Sequence, residues 1–245
     1  ILTYKDCSYE FAGVYQTSFA EIWYRKSSST KWKKLFDMSD MVLAGNIYYF
    51  NNKLYYNCLK NAPNGSIKML DLNNPAAIPK IILPEQAYPI SYYAIAQTKN
   101  YLIVPLKKNG VTTYSKFIYL PTNKITASPF KENTSSIMYW AVNMNKNDSV
   151  LIQREGWTDY PKVTDALIGN PKEKPNKYFA INSLPFSNNL IVEEKEVPSY
   201  DGTLVPLTII RRKDLKLNGN NVAIVMGYGA YGDPVLSNYF HRSYA

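Results

Sequence analysis

Along most of the chain, short apolar runs rich in Tyr, Ile and Val alternate with clusters of Asn, Gly, Pro and Lys. β-Branched and aromatic side chains suit a pleated, half-buried surface, and Asn, Gly and Pro interrupt it, so the pattern is one of strands and turns. Before residue 200 no segment keeps a helical apolar period over three turns. The strands group in fours. The first quartet is 46–50, 53–59, 66–71 and 80–83, and its opening pair is joined by Asn51-Asn52, residues that tolerate the left-handed conformation of a two-residue hairpin turn. The second quartet is 91–97, 101–107, 115–120 and 124–128; the third is 136–143, 149–155, 162–168 and 177–181, with a turn at 169–171 before its last strand.

The opening strands begin at residues 46, 91 and 136, a step of 45. A four-stranded unit repeated at this period is the mark of a β-propeller blade. Residues 21–25 and 31–36 read as the last two strands of an earlier blade, giving three blades and part of a fourth. A β-sandwich is the other architecture the strands allow, but the regular step and the lack of long crossing connections favour the propeller.

The pattern changes after residue 190. Asp201-Gly202 is a strong turn pair between two strand-like runs, 193–197 and 203–211, which are expected to pair as a hairpin. Residues 222–226, Val-Ala-Ile-Val-Met, are apolar throughout, as in a strand buried on both faces of a parallel sheet. Gly227, Gly229 and Gly232 follow it, and a glycine loop at the end of a buried strand is where open α/β sheets bind ligands. A plain tight turn fits the spacing too.

Composition narrows this picture. The net charge is +9, from 28 basic and 19 acidic residues, but the lysines are scattered and no arginine-rich helix is present, so no nucleic-acid partner is expected. Cys7 and Cys58 lie far apart and form no Cys/His cluster; they read as isolated thiols, and neither metal nor cofactor is expected. No apolar run approaches the length of a membrane span. The sequence opens on Ile1 and ends on Ala245 soon after the glycine loop, and it reads as a piece of a longer protein whose start, and any signal peptide, lies elsewhere.

Two stretches, Asp201-Gly202-Thr203-Leu204-Val205-Pro206 and Gly227-Tyr228-Gly229-Ala230-Tyr231-Gly232, together resemble the prolyl oligopeptidase family of serine peptidases. There, an Asp-Gly-Thr strand leads into the catalytic domain and a Gly-Tyr-Gly loop forms part of the oxyanion hole. The resemblance is specific over 193–239 and weaker before it, where 156–163 is similar to a late-blade loop and 184–189 to the interdomain link. It implies a partial β-propeller over 1–190 and the truncated start of an α/β-hydrolase domain over 191–245. It also implies a parent that hydrolyses short peptides, the propeller restricting access to its active site.

By the same resemblance Tyr228 is the hydroxyl donor to the oxyanion, Tyr231 lines the substrate pocket, and Gly227, Gly229 and Gly232 support the loop. A core packing role at a strand end remains open for Tyr228, and loop packing for Tyr231. The sequence contains no Gly-x-Ser-x-Gly, so the nucleophile is absent, and no acid can be assigned. His241, the only histidine, follows the glycine loop, where the base of an α/β-hydrolase would come after nucleophile and acid. It reads as an ordinary residue. By itself the chain is expected to be catalytically inactive, and to self-associate through open blade edges. Gly-Tyr-Gly-Ala-Tyr-Gly is nearer to the oligopeptidase B branch, which cleaves after basic residues, than to the prolyl branch. An alternative is a non-catalytic propeller binding module fused to a degenerate hydrolase.

Overall fold

The computed structural model describes residues 2–4, 6–16, 18–91, 94–108, 112–132, 136–179 and 187–227. Apart from short 3-10 turns, its regular elements are strands, each paired antiparallel to its neighbours. The first sheet holds β1 (Leu2–Thr3), β2 (Tyr9–Gln16), β3 (Phe19–Lys26) and β4 (Lys33–Phe36). The second holds β5 (Val42–Phe50), β6 (Lys53–Cys58), β7 (Ser66–Asp71) and β8 (Lys80–Leu83), and is joined to the first at one point, Phe19 opposite Leu43. The third holds β9 (Ala96–Gln97), β10 (Tyr101–Lys108), β11 (Thr112–Tyr119) and β12 (Lys124–Ala127); the fourth holds β13 (Ser136–Ala141), β14 (Ser149–Glu155), β15 (Lys162–Leu167) and β16 (Asn170–Pro175). The antiparallel quartets expected from the sequence are thus present, although the opening strand expected at 91–97 is Ala96–Gln97; the sheet before them, expected as two strands, has four, and β2 pairs with β3 along its whole length.

Successive side chains of a strand point to opposite faces, and here both faces are used. On β6, Leu54, Tyr56 and Cys58 pack against Phe11, Ile22 and Phe36 of the first sheet, while Tyr55 between them packs against Leu102, Val104 and Ile118 of the third. On β10, Ile103 faces the other way, towards Ile137, Val150 and Ile152 of the fourth. The core is therefore three seams between four stacked sheets. Burying an aliphatic side chain of this size contributes ~1.5–3 kcal/mol.

The repeat is sharper in the structure than in the sequence pattern, and its period differs. The second strands begin at Lys53, Tyr101 and Ser149, 48 residues apart both times. The backbone keeps the same step: the N–H groups of Leu72, Leu120 and Ile168 donate to the carbonyls of Asn52, Asn100 and Asp148. The opening strands begin at Val42, Ala96 and Ser136, so the starts expected at 46 and 91, and with them the step of 45, are not kept. The hairpin turn at Asn51 and Asn52 has φ of 46° and 56°, as a primed two-residue turn needs.

The last strand of the fourth sheet departs from expectation. Residues 169–171 are not the turn before it; Leu167 stands opposite Asn170 across a tighter one, so the strand is Asn170–Pro175; of the expected 177–181, residues 177–179 form no strand and 180–181 lie outside the described residues. Pro171 and Pro175 argue against a central strand, but an outer strand leaves one row of N–H positions unused. Glu173 fixes it, accepting from both Arg154 guanidinium nitrogens (2.6 and 2.8 Å) and from Thr164 Oγ1 (2.7 Å).

Tyrosine hydroxyls cross the seams. Tyr4 donates to the Ile47 carbonyl (2.7 Å) and Tyr9 to the Leu72 carbonyl (3.1 Å). One sheet on, Tyr48 donates to Ile95 (3.2 Å) and Tyr55 to Leu120 (3.4 Å), acceptors again 48 residues further along, and Tyr55 also reaches Asn123 Oδ1 at 2.7 Å. Burial pushes the phenols of Tyr4 and Tyr55 up to about 12. The next positions in step, Ala96 and Ile103, carry no donor. There Asp148 takes over, accepting from Thr98 Oγ1 (2.8 Å), Asn100 N (2.7 Å) and Asn100 Nδ2 (2.9 Å).

Candidate functional site

Beyond the stacked sheets, β17 (Leu190–Pro198) and β18 (Leu204–Arg212) form a two-stranded sheet of their own. The hairpin expected around Asp201-Gly202 is present. Its loop is closed by Ser199 N–H to Thr203 O (2.8 Å) and Gly202 N–H to Ser199 O (2.9 Å). Gly202 has φ of 82°, a conformation that favours glycine, and Asp201 Oδ1 accepts from the Thr203 N–H at 3.0 Å. That bond holds the Asp201 carboxyl below its usual range. At mid-strand, Arg211 donates to Glu193 Oε1 from Nε (2.7 Å) and Nη2 (2.6 Å), and this guanidinium lowers the Glu193 carboxyl.

The hairpin hands the chain on. Lys213 N–H closes onto the Asn189 carbonyl at 2.7 Å, and Asn221 Nδ2 donates to the Lys216 carbonyl at 2.8 Å across a turn with Gly219 at φ 82°. Residues 222–226, expected to be a buried strand, form none. Val222, Ile224, Val225 and Met226 are 97, 79, 90 and 67% exposed. A central parallel strand needs strands on both edges and helices on both faces, and among the described residues nothing packs on it. At Gly227 a side chain would meet nothing within 4 Å. Tyr228, Gly229, Tyr231, Gly232 and His241 lie outside the described residues. Of the site expected from the sequence, the structure therefore places the leading hairpin and Gly227.

Among the described residues there is no group of three His, Cys, Asp or Glu side chains able to hold a metal ion. Cys7 and Cys58 are both free thiols. No helix there is long and apolar enough to cross a membrane. The polar groups that the sequence pattern did not single out are the seam tyrosines and Asp148; the acceptor carbonyls keep the 48-residue step, but the donors Tyr4 and Tyr48, Tyr9 and Tyr55 do not, so the repeat does not mark them.

What the fold and the leading hairpin define is a run of stacked four-stranded antiparallel sheets passing into a separate hairpin with an Asp-Gly turn. No protein-family model matches the chain. It is 28% identical over 189 residues, 72% of its length, to the uncharacterised peptidase y4nA of Sinorhizobium fredii, and 25% identical over 214 residues, 82% of its length, to prolyl oligopeptidase A of Amanita bisporigera. These matches take up 24% and 26% of the relatives, so the chain spans about a quarter of the curated proteins it matches. A solved prolyl endopeptidase structure superposes with a TM-score of 0.70 over 86% of this chain and 30% of its own, at 19% identity. The chain's relatives and structural neighbours are thus members of the prolyl oligopeptidase and oligopeptidase B family, matched over most of its length, and the region they share with it is their propeller.

Proposed function

We propose that the chain is part of a serine-type oligopeptidase that hydrolyses short peptides. Residues 1–190 are the later blades of a propeller that restricts entry to the active site, and residues 191–245 begin the α/β-hydrolase domain. The observation that carries this reading is the Asp201-Gly202 hairpin leading towards Gly227-Tyr228-Gly229, in a chain whose relatives are peptidases over 72% and 82% of its length. Tyr228 supplies a hydroxyl to the developing oxyanion, Tyr231 lines the pocket, and Gly227, Gly229 and Gly232 let the backbone approach. The nucleophile, acid and base come from sequence outside this chain, so the chain alone does not cleave peptides.

The test is Tyr228→Phe in the full-length parent, assayed on a panel of fluorogenic peptides. Phenylalanine keeps the ring and removes the donor. Loss of one oxyanion donor lowers kcat by up to ~10²–10³, and kcat and kcat/KM should fall together because the bond is made in the transition state. An unchanged kcat removes Tyr228 from the catalytic set; a parent inactive on every peptide favours the non-catalytic module instead.

Self-association of the isolated chain belongs to the same reading. Trp140, Val142, Met144 and Leu167 of the fourth sheet and its loop are 53, 57, 46 and 43% exposed, as expected of a blade lacking its next neighbour. Light scattering at rising concentration should show oligomers; a monodisperse monomer throughout counts against it.

A further inference from the structure

The ladder between β10 and β11 turns one face to the fourth sheet, with Ile103, Pro105 and Lys107 opposite Phe117, Ser115 and Thr113. Ile103 and Phe117 sit in the apolar seam. The far end of the same face is polar and just as buried: Thr113, Ser115, Lys107 and Ser136 are at most 3% exposed. Lys107 Nζ donates to Thr113 Oγ1 at 2.8 Å and to Ser136 Oγ at 2.9 Å, and Thr113 Oγ1 also accepts from the Ile137 N–H at 3.3 Å.

An ammonium has three N–H groups and two are used, while both hydroxyls accept and keep their own O–H to donate. Three donors are thus left around one buried charge, and among the described residues no acceptor takes them. Ser115 Oγ, on the same face, is buried without a partner. Glu132 is spent on Ser115 N–H (2.9 Å) and Tyr139 Oη (2.9 Å), and Glu155 favours the charged form of Lys107 electrostatically, against the larger effect of burial. Burial pushes Lys107 down to about 8.

The repeat supplies an internal comparison. Forty-eight residues earlier, the positions of Lys107, Thr113 and Ser115 are occupied by Leu59, Gly65 and Ile67, none with a side-chain donor. The preceding seam carries no ammonium or hydroxyl at these three positions, and its buried polar group on this face is instead Asn57, at the position of Pro105; a buried charge is what the third sheet adds.

We propose that Lys107, Thr113 and Ser136 form an anion site in the seam between the third and fourth sheets, and that its ligand is a small monovalent inorganic anion of the chloride type. A water molecule would bring two hydrogens of its own into a ring of donors. A halide only accepts, uses all three donors and offsets the buried charge. Enclosure of the three residues favours a compact ion over a polyatomic one.

The test compares the 245-residue chain in sodium chloride and in sodium gluconate of equal ionic strength, at neutral pH where Lys107 is charged. Chloride should raise the thermal midpoint saturably over gluconate, raise the Lys107 pKa in an NMR titration, and broaden the ³⁵Cl resonance. In Lys107→Met the chloride dependence should weaken by at least ~10-fold, the loss of one charge-assisted donor. Chloride indistinguishable from gluconate in the native chain overturns the proposal, as does an unchanged chloride response in Lys107→Met. Should that variant not fold, Thr113→Val with Ser136→Ala keeps the lysine and removes the hydroxyls: loss of the chloride-specific rise supports the site, and its persistence overturns it.

Discussion

Tyr55→Phe isolates the contribution of one seam hydroxyl. Tyr55 is fully buried on β6, its ring packed between the second and third sheets, and phenylalanine fills the same space. Only two hydrogen bonds change, to Leu120 O at 3.4 Å and Asn123 Oδ1 at 2.7 Å. The first is long and the second ends on a half-buried side chain that water can reach, so the cost lies below that of two stranded acceptors: about 1–2 kcal/mol. For a chain of this size that lowers Tm by about 2–8 °C. Urea unfolding followed by circular dichroism gives the free energy directly, with an unchanged m-value expected because the fold is kept. Tyr178→Phe is the control, since Tyr178 is 80% exposed and its loss should stay within about 0.5 kcal/mol. If the two variants lose the same stability, the hydroxyl across the seam does no stabilising and the packed ring alone explains Tyr55.

Two further outcomes follow from the same seams. Asp148→Ala removes three acceptor bonds at once, one of them from the fully buried Thr98, and should cost about 2–3 kcal/mol; faster hydrogen exchange at the Asn100 amide is the local sign, and unaltered exchange there refutes the clamp. Stability should fall as pH rises from about 10 to about 12, because Tyr4 and Tyr55 ionise near 10 when unfolded and only near 12 when folded, so their contribution is complete below 10 and lost through that window; a flat midpoint across it in the native chain, or the same fall in a Tyr4→Phe, Tyr55→Phe double variant, goes against this.

The strands that could be read from the sequence are those whose own residues decide the outcome. Tyr48, Tyr49 and Phe50, the Asn51-Asn52 turn and Leu54 to Tyr56 specify a hairpin locally, and Asp201-Gly202 does the same for β17 and β18. Asn170–Pro175 could not be read because its own residues are polar or proline and what holds it is tertiary: the ladder to β15 and Glu173 meeting Thr164 and, from two strands away, Arg154. Residues 222–226 misled for the opposite reason: an apolar run reports that burial would be favourable, not that a partner is at hand. The seam groups were out of reach as well. Of 22 tyrosines, those that cross a seam differ from the rest only in which carbonyl tertiary packing brings within 3.4 Å. Lys107 is one lysine among many until its burial is known.

The seam tyrosines have a consequence for how the chain can vary. Each donor is a particular side chain, Tyr4, Tyr9, Tyr48 or Tyr55, and each reaches a main-chain carbonyl, at Ile47, Leu72, Ile95 or Leu120, with only Tyr55 adding a side-chain acceptor, Asn123 Oδ1. Any residue has such a carbonyl, so drift at the acceptor positions leaves the bond intact as long as the backbone path is kept. Drift at the donor removes it in one step. The instruction for the carbonyl bonds is therefore written on the tyrosine alone, in the earlier sheet at these four positions and in the later one at Tyr49, which donates back to the Asp6 carbonyl; a later sheet of the same trace would keep the four carbonyl bonds but would still have to supply Asn123 for Tyr55.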